Sequence, residues 1–567
     1  MTESTSETVD IVVVGSGAGA LTAALTAAIH GASVLVLEKA ARFGGTSASS
    51  GGGLWIPMNH LMLAGGVDDS REDALRYLRA LTDGDVDPRV VEAFVDQGPR
   101  MLRFLEQHSH VRYEAMLHYA DYYQELPGAR PGGRSIDPLP WDARELGDAF
   151  LDMQPSHVQT TVMGLMGYTN LEGAVLLSKA PGWLKVVAKL ALEYASDIGW
   201  RFRSARSRRL TMGNALMARL RRSLLDRGVP LWLSTPVREL IRDGERVTGV
   251  VAERGGERIR VMARKGVIVG TGGFEHSQAL RERFLPAPTQ RQWSAASPTN
   301  TGDLHLAAER IGAALHLMDE AWWGPTIVME GEDRARMLFT ERSMPGCIMV
   351  NRDARRFFNE SVAYTTAVQA MYAADAAGTP NLPAWAIFDA RYRRNYPFGP
   401  LLPGGMHLDW LQPSRVRNRF LQSASTLAEL AGKLGLDAAA LSATVTRFNG
   451  FAGTGKDAHF HRGENSYDLM YGDVRLGPNP CLAPIAEAPF YAVRVYPGDI
   501  GTKGGILTNP DACALDTAGK VIPGLYAIGN CSASSMGRCY PGAGATLGPA
   551  MTFGFVAANH VCGASVE

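Results

Sequence analysis

The hydrophobic positions change period along the chain, and each change marks an element. Ile11, Val12, Val13 and Val14 form an unbroken β-branched run, the composition of a parallel strand covered on both faces. Residues 21–29 follow as an alanine-rich helix without proline, and the apolar run 33–37 predicts the next strand. Helical periodicity returns over 72–81 and 88–105, around a polar turn at 83–87. Residues 212–228 read as an amphipathic helix, 229–233 as a strand, 247–251 with 258–261 as a hairpin, and 266–270 as a buried strand. Between 163 and 209 the rhythm differs. There Trp183, Val186, Val187, Leu190, Tyr194 and Ile198 recur at helical spacing, with Lys185, Lys189, Glu193 and Asp197 opposite them. Residues 317–488 lack β–α alternation, and residues 525–530 return as a strand that completes the first sheet.

The turn after the first strand carries chemistry. Gly15, Gly17 and Ala20 give G-x-G-x-x-A, filled by Ser16, Ala18 and Gly19, and Glu38 ends the second apolar run. Gly15 permits the tight turn, Gly17 lets a pyrophosphate approach the backbone, and Ala20 keeps the helix close to the sheet. The helix N-terminus presents unpaired N–H groups to phosphate, and an acid about 20 residues on suits a ribose hydroxyl. The small and hydroxylic run 42–53, with Gly44, Gly45, Thr46, Ser47, Ser50, Gly51 and Gly52, suits backbone lying against a flat ligand. The pattern predicts an α/β chain: a Rossmann-type dinucleotide-binding domain over 1–316, with a helical excursion at 163–209. A second, inserted α+β capping domain covers 317–488, and the first domain is completed by 489–567.

Length and charge sharpen this. The 567 residues exceed one core, and a formal net charge of zero gives no field for nucleic acid. Six scattered cysteines contain no C-x-x-C, which argues against a disulfide framework or metal knot. The polar, acidic start has no signal-peptide pattern, and no apolar run reaches bilayer length. A cytoplasmic protein is expected, peripheral on a membrane at most. The helix at 183–198 and the basic run Arg201, Arg203, Arg206, Arg208 and Arg209 fit either a membrane interface over 182–209 or packing on the chain's own domain or a partner subunit. Histidine pairs 108/110 and 459/461 lack a third ligand at diagnostic spacing, so no metal is predicted. Trp322, Trp323, Trp385, Phe388 and Tyr392 are either walls of a ligand slot or the inserted domain's core.

Four segments carry a wider resemblance: residues 11–38, 42–53, 525–530 and the glycine-rich 541–552. Together they resemble the flavoprotein superfamily of succinate dehydrogenase and fumarate reductase, which binds FAD. More narrowly, residues 44–53, Asp121-Tyr122-Tyr123, residues 359–364 (NESVAY), 497–505 (PGDIGTKGG) and 540–544 (YPGAG) resemble 3-oxosteroid 1-dehydrogenases over nearly the whole chain. The excursion at 163–209 is longer than in compact members. Tyr364 stands where the dicarboxylate enzymes have an acidic-proton-donating arginine, which argues against fumarate or succinate. Thr46 stands where covalent members have a histidine, which implies FAD held without a covalent bond.

The resemblance implies FAD contacts at Lys39, Val237, Thr271, Gly272, Gly273, Asp303, Gly529, Asn530, Gly544, Thr546 and Leu547, beside those of the phosphate loop. It assigns Tyr540 and the N–H of Gly544 to polarising a ring carbonyl, Tyr364 to taking the α-proton, and Tyr122 to easing Tyr364's ionisation. Hydride passes from the β-carbon to flavin N5. An ordinary tyrosine is a poor base at neutral pH unless neighbours stabilise its phenolate. The implied reaction is 1,2-dehydrogenation of 3-oxosteroids, with a quinone as electron acceptor. Two alternatives stand beside it: a flavin dehydrogenase acting at the 4,5 bond or on another cyclic ketone, and a non-catalytic FAD-binding, membrane-associated protein.

Overall fold

The computed structural model describes residues 4–178, 181–376, 378, 381–404 and 416–564. Residues 179 and 180 of the predicted excursion lie outside them. The first strand, β1 (Ser4–Val14), runs through the middle of a sheet with β2 (Val34–Leu37) on one side. Its alternation sorts side chains between two cores. Ile11 and Val13 join the core built on helix α1 (Ala18–Ile29), while Val12 and Val14 join the opposite one with Leu304 and Ala308. Beyond β2 lies the short parallel strand β3 (Leu231–Trp232).

On the other flank, β4 (Val237–Asp243), β5 (Arg246–Arg254) and β6 (Glu257–Val269) form an antiparallel meander. Sequence reading separated a hairpin arm at 258–261 from a buried strand at 266–270; they are one 13-residue strand. Its outer half alternates in burial and its inner half, Gly266 to Val269, is covered on both faces, so the period changes within a single element. That inner half pairs in parallel with both β1 and the returning strand Val521–Ala527. The C-terminal helix Leu547–Cys562 then packs on α1. A Cβ on Gly19 would stand 2.5 Å from the Ala550 carbonyl oxygen, and one on Gly554 would stand 2.4 Å from that of Gly19. Only glycine allows the two helices this approach.

The second sheet is built on β7 (Ala321–Ile327), β8 (Arg336–Met337), β9 (Cys347–Val350), β10 (Ala384–Phe388), β11 (Leu421–Ala424) and the long β12 (Phe490–Thr502). β12 pairs with β7, β10 and β11. The boundary read after residue 488 precedes β12, whose pairing is with the second sheet. Where β12 reaches the first domain, Asp499 is buried with Arg281 at 2.6 Å and accepts from Ser294 Oγ at 2.6 Å. Both charges are fully buried, so removing one strands the other. Asp499→Ala is expected to cost about 3–5 kcal/mol of stability, read as a lower denaturation midpoint; an unchanged midpoint would mean that this pair does not tie the domains.

Candidate active site

A single cavity of about 1720 Å³ runs between the domains, exceeding the ~300–1,000 Å³ of a pocket for one ligand. One end is the glycine-rich cradle. Its walls include Gly15, Ser16, Gly17, Ala18, Gly19, Ala20, Glu38, Lys39, Gly45, Thr46, Ser47, Ser50, Gly51, Gly52, Val237, Thr271, Gly272, Asp303, Gly529, Asn530, Gly544, Thr546 and Leu547. Gly44 and Gly273 do not line it. Gly44 is left-handed at the start of the short helix Gly45–Ser49 and donates its N–H to Ser16 Oγ at 3.0 Å, while Gly273 is pressed against Thr502 and Glu275.

The cradle has the chemistry of a dinucleotide site. Gly15 has φ +102°, and a Cβ there would meet the Gly270 carbonyl oxygen at 2.3 Å. No acidic residue occupies the first turn of α1, which leaves its positive end for phosphate. Burial pushes the Glu38 carboxyl above its ordinary value, opposed by bonds from Ser16 Oγ at 2.5 Å and Ala40 N at 2.7 Å. Lys39 reaches Thr301 Oγ1 at 2.6 Å and Asp303 at 3.0 Å, joining the second strand's end to the helix Asp303–Arg310. Thr46 Oγ1 accepts from Ser297 N at 2.9 Å and Asn300 Nδ2 at 3.2 Å.

The other end is a cage of tyrosines. The hydroxyls of Tyr122 and Tyr364 are 2.7 Å apart, and the ring of Tyr540 lies 5.3 Å and 5.0 Å from theirs. Tyr364, Thr546 and the N–H of Gly544 surround Tyr540 closely enough to favour its charged form. Burial pushes all three phenols above their ordinary range; the Tyr122 hydroxyl pulls Tyr364 back, and these contacts pull Tyr540 back. Asp121 holds Tyr122's segment by accepting from Trp55 Nε1 and Arg134 Nη1, each at 2.8 Å, and Tyr122 N donates to Pro541 O at 2.9 Å. Beneath Tyr540, Lys503 donates to the carbonyls of Gly537 and Cys539 and lies 4.4 Å from the ring of Trp322, whose edge meets Tyr540 at 4.9 Å. Burial pulls Lys503 down to about 8.

Tyr119, Tyr467 and Tyr471 complete the cage and were not singled out in the sequence. The run of tyrosines near residue 119 was the one available signal. The five aromatics weighed as walls do not line the cavity: Trp323, Phe388 and Tyr392 form the second domain's core, Trp385 lies in a separate cluster, and Trp322 backs Tyr540. The walls are instead Met337, Phe339, Met344, Leu469 and Met470, with Trp183, Val187 and Ala191 from the helix Trp183–Ser196.

Comparison with known proteins agrees with this geometry. The FAD binding domain model matches residues 10–547. A 3-oxosteroid 1-dehydrogenase from Mycobacterium tuberculosis is 42% identical over 97% of this chain and 98% of its own length. The crystal structure of 3-ketosteroid delta1-dehydrogenase from Sterolibacterium denitrificans, in complex with 1,4-androstadiene-3,17-dione, is 47% identical, with a TM-score of 0.96 over 98% of this chain and 100% of that one. The chain belongs to the 3-oxosteroid 1-dehydrogenase family. Its cofactor is FAD, and the cradle fits that cofactor. A 4-oxocyclohexanecarboxylate 2-dehydrogenase from Sinomonas cyclohexanicum is also 39% identical, over 98% of this chain and 93% of its own length, so relatives at this distance differ in the ketone they take. Because Thr46 holds neighbouring loop groups and is no nucleophile, acid precipitation of the holoprotein is expected to leave all flavin in the supernatant; flavin retained in the pellet would reveal a covalent link.

Proposed function

We propose that this chain introduces the 1,2 double bond into 3-oxosteroids. The observation that carries the reading is the contact of Tyr122, Tyr364 and Tyr540 at the end of an apolar cavity shared with the FAD cradle. In this reading the Tyr540 hydroxyl and the Gly544 N–H donate to the ring carbonyl oxygen and stabilise the enolate that develops there. Tyr364, ionised, takes the proton from C2, and Tyr122 donates a hydrogen bond to the Tyr364 oxygen, favouring its charged form. FAD, when bound, supplies the hydride acceptor for C1 at its N5. Glu38 would take a ribose hydroxyl, the Gly17 N–H and the positive end of α1 the pyrophosphate, and Gly45 to Gly52 the flavin side, with the Ala18 N–H held by Ser47 Oγ at 3.1 Å. We further propose a quinone as the oxidant that returns the cofactor to its starting state.

Two relatives that act on oxocyclohexane carboxylates support a second reading, in which the ketone is a single ring. The size and apolar walls of the cavity favour the larger substrate. The test is anaerobic mixing of the holoprotein with a 4-ene 3-oxosteroid, a ring-saturated 3-oxosteroid and a 4-oxocyclohexanecarboxylate, followed by flavin bleaching and product identification. Bleaching by the 4-ene steroid with formation of the 1,4-diene supports the proposal. Bleaching only by the small ketone transfers it to the second reading, a 4-ene product from the saturated steroid moves the reaction to the 4,5 bond, and no bleaching removes catalysis. Tyr540→Phe is expected to slow flavin reduction by about 10²- to 10³-fold. Since burial raises Tyr364's pKa and only the phenolate takes the proton, the rate rises with pH from neutral toward about pH 9; a flat profile removes tyrosine as the base.

Peripheral membrane contact over 182–209 also becomes a proposal of changed form. Of the five arginines, four turn inward: Arg206 donates to Met153 O at 2.9 Å, Arg208 pairs with Asp197, Arg209 with Glu172 at 2.9 Å, and Arg201 donates to Ala205 O at 2.9 Å. The exposed apolar groups are Leu184 (63%), Leu192 (71%), Ile198 (63%) and Phe202 (88%), beside the exposed Lys185, Lys189, Glu193 and Arg203, in the segment that also lines the cavity. Apolar contact, rather than a basic patch, would carry the binding. Leu192→Glu with Phe202→Glu is expected to lower co-sedimentation with liposomes while FAD stays bound; equal co-sedimentation, or none by the intact protein, removes the proposal.

A further inference from the structure

Arg342 is a charge that the reaction as described does not use. Its side chain is fully buried and makes no ion pair with a carboxylate among the described residues, and its Nε has no hydrogen-bond partner there. The guanidinium spends its other nitrogens on two carbonyls, Nη1 on Glu360 and Nη2 on Val362, the latter at 2.6 Å. Those carbonyls belong to the turn that delivers Tyr364, the first residue of the helix Tyr364–Ala376.

The surrounding carboxylates are held by other donors, Asp468 through one oxygen only, its buried Oδ1 having no hydrogen-bond partner among the described residues. Glu360 accepts from Arg356 at 2.6 Å and from Arg462 at 3.2 Å, and Arg356 also holds Asp457 at 2.8 Å. Asp468 accepts from Asn359 Nδ2 and Gly463 N, each at 2.8 Å, and burial pushes its carboxyl upward. Glu341, on the cavity wall, is likewise pushed upward by burial. The charge of Arg342 acts on the phenols of Tyr467 and Tyr471 and on the carboxylate of Asp468; Tyr471's hydroxyl is bonded to that of Tyr119, and the Tyr467 ring lies 4.7 Å from that of Tyr122. A guanidinium left without a carboxylate in a dry site costs several kcal/mol unless another anion forms near it.

We propose that Arg342 is the positioning residue of the base: it clamps the backbone that carries Tyr364, and it holds a fixed positive charge against which a phenolate forms in the tyrosine cage. The inference rests on Tyr364 acting as the base. A carboxylate beside Arg342 would cancel the charge. The two carbonyls it binds instead fix its place and leave the charge intact. The positive end of the helix that Tyr364 opens adds to it.

Two substitutions separate clamp from charge. Arg342→Gln keeps an amide donor for the carbonyls and removes the charge; Arg342→Lys keeps the charge and loses the fork. The rate of anaerobic flavin reduction by a 4-ene 3-oxosteroid is measured against pH for each FAD-loaded variant. In Arg342→Gln the rise with pH is expected to move alkaline by about one unit or more, which lowers the neutral-pH rate about tenfold. In Arg342→Lys the rise stays at its wild-type position, whatever the rate. A wild-type pH profile in Arg342→Gln overturns the proposal. Ultraviolet titration of tyrosinate in the substrate-free proteins decides the same point without turnover: ionisation begins at higher pH in Arg342→Gln than in wild type, and an identical onset overturns it. If wild type fails to bleach with the steroid, the functional reading falls, and this titration alone judges Arg342.

Discussion

Phenols that are brought together away from water become weaker acids. The contact of Tyr122, Tyr364 and Tyr540 is where this constraint acts. Drying the cage strengthens every hydrogen bond in it and opposes ionisation by the same cause. The structure answers with donors rather than carboxylates. Tyr122 meets Tyr364, and the nearby cations Lys503 and Arg342 donate to backbone carbonyls, Arg342 with its Nε left over. Carbonyl partners hold a cation in place without neutralising it.

That arrangement needs both domains at once. Tyr122 comes from the first domain, Tyr364 from the second, and Tyr540 from the segment that follows the return to the first sheet. β12 makes the register between them definite: it pairs with β7 and β10 in the second sheet, then delivers Asp499 to Arg281 and, at its end, Thr502 to Phe274 N at 3.0 Å. Three residues of the PGDIGTKGG stretch are thereby accounted for. Its aspartate closes a buried ion pair, its threonine caps the turn after Gly273, and its lysine supports the loop before Tyr540.

What the sequence discloses follows from how local the physics is. A four-residue apolar run followed by G-x-G-x-x-A is determined within 30 residues, so β1, α1, the Gly15 turn and the place of Glu38 are legible before any tertiary contact is known. The motifs that carry the resemblance located Tyr122, Tyr364 and Tyr540 because each lies in a short stretch with its own structural task, such as Asp121 on Trp55 and Arg134, or Glu360 on Arg356. Tyr119, Tyr467, Tyr471 and Arg342 stayed hidden because their roles arise only when distant segments meet. The aromatics at 322–323 and 385–392 show the opposite failure. Large rings satisfy a core and a ligand wall equally, and composition alone does not distinguish them. β6 was split because a strand half exposed and half buried changes period without ending.

The arginines at 201–209 illustrate why charge in a sequence is a weak guide to charge on a surface. An arginine has five donors on a flexible stem, and a segment of short helices and turns leaves many carbonyls unpaired. Arg206 is held by the carbonyls of Phe150 and Met153, and Arg201 lies 4.0 Å from the Tyr194 ring while donating to Ala205. The basic run thus builds the excursion from inside. The same helix contributes Trp183, Val187 and Ala191 to the cavity and Leu184 and Leu192 to the exterior. The helix is thus one layer between cavity and exterior, with Leu184 and Leu192 facing outward among the exposed Lys185, Lys189 and Glu193.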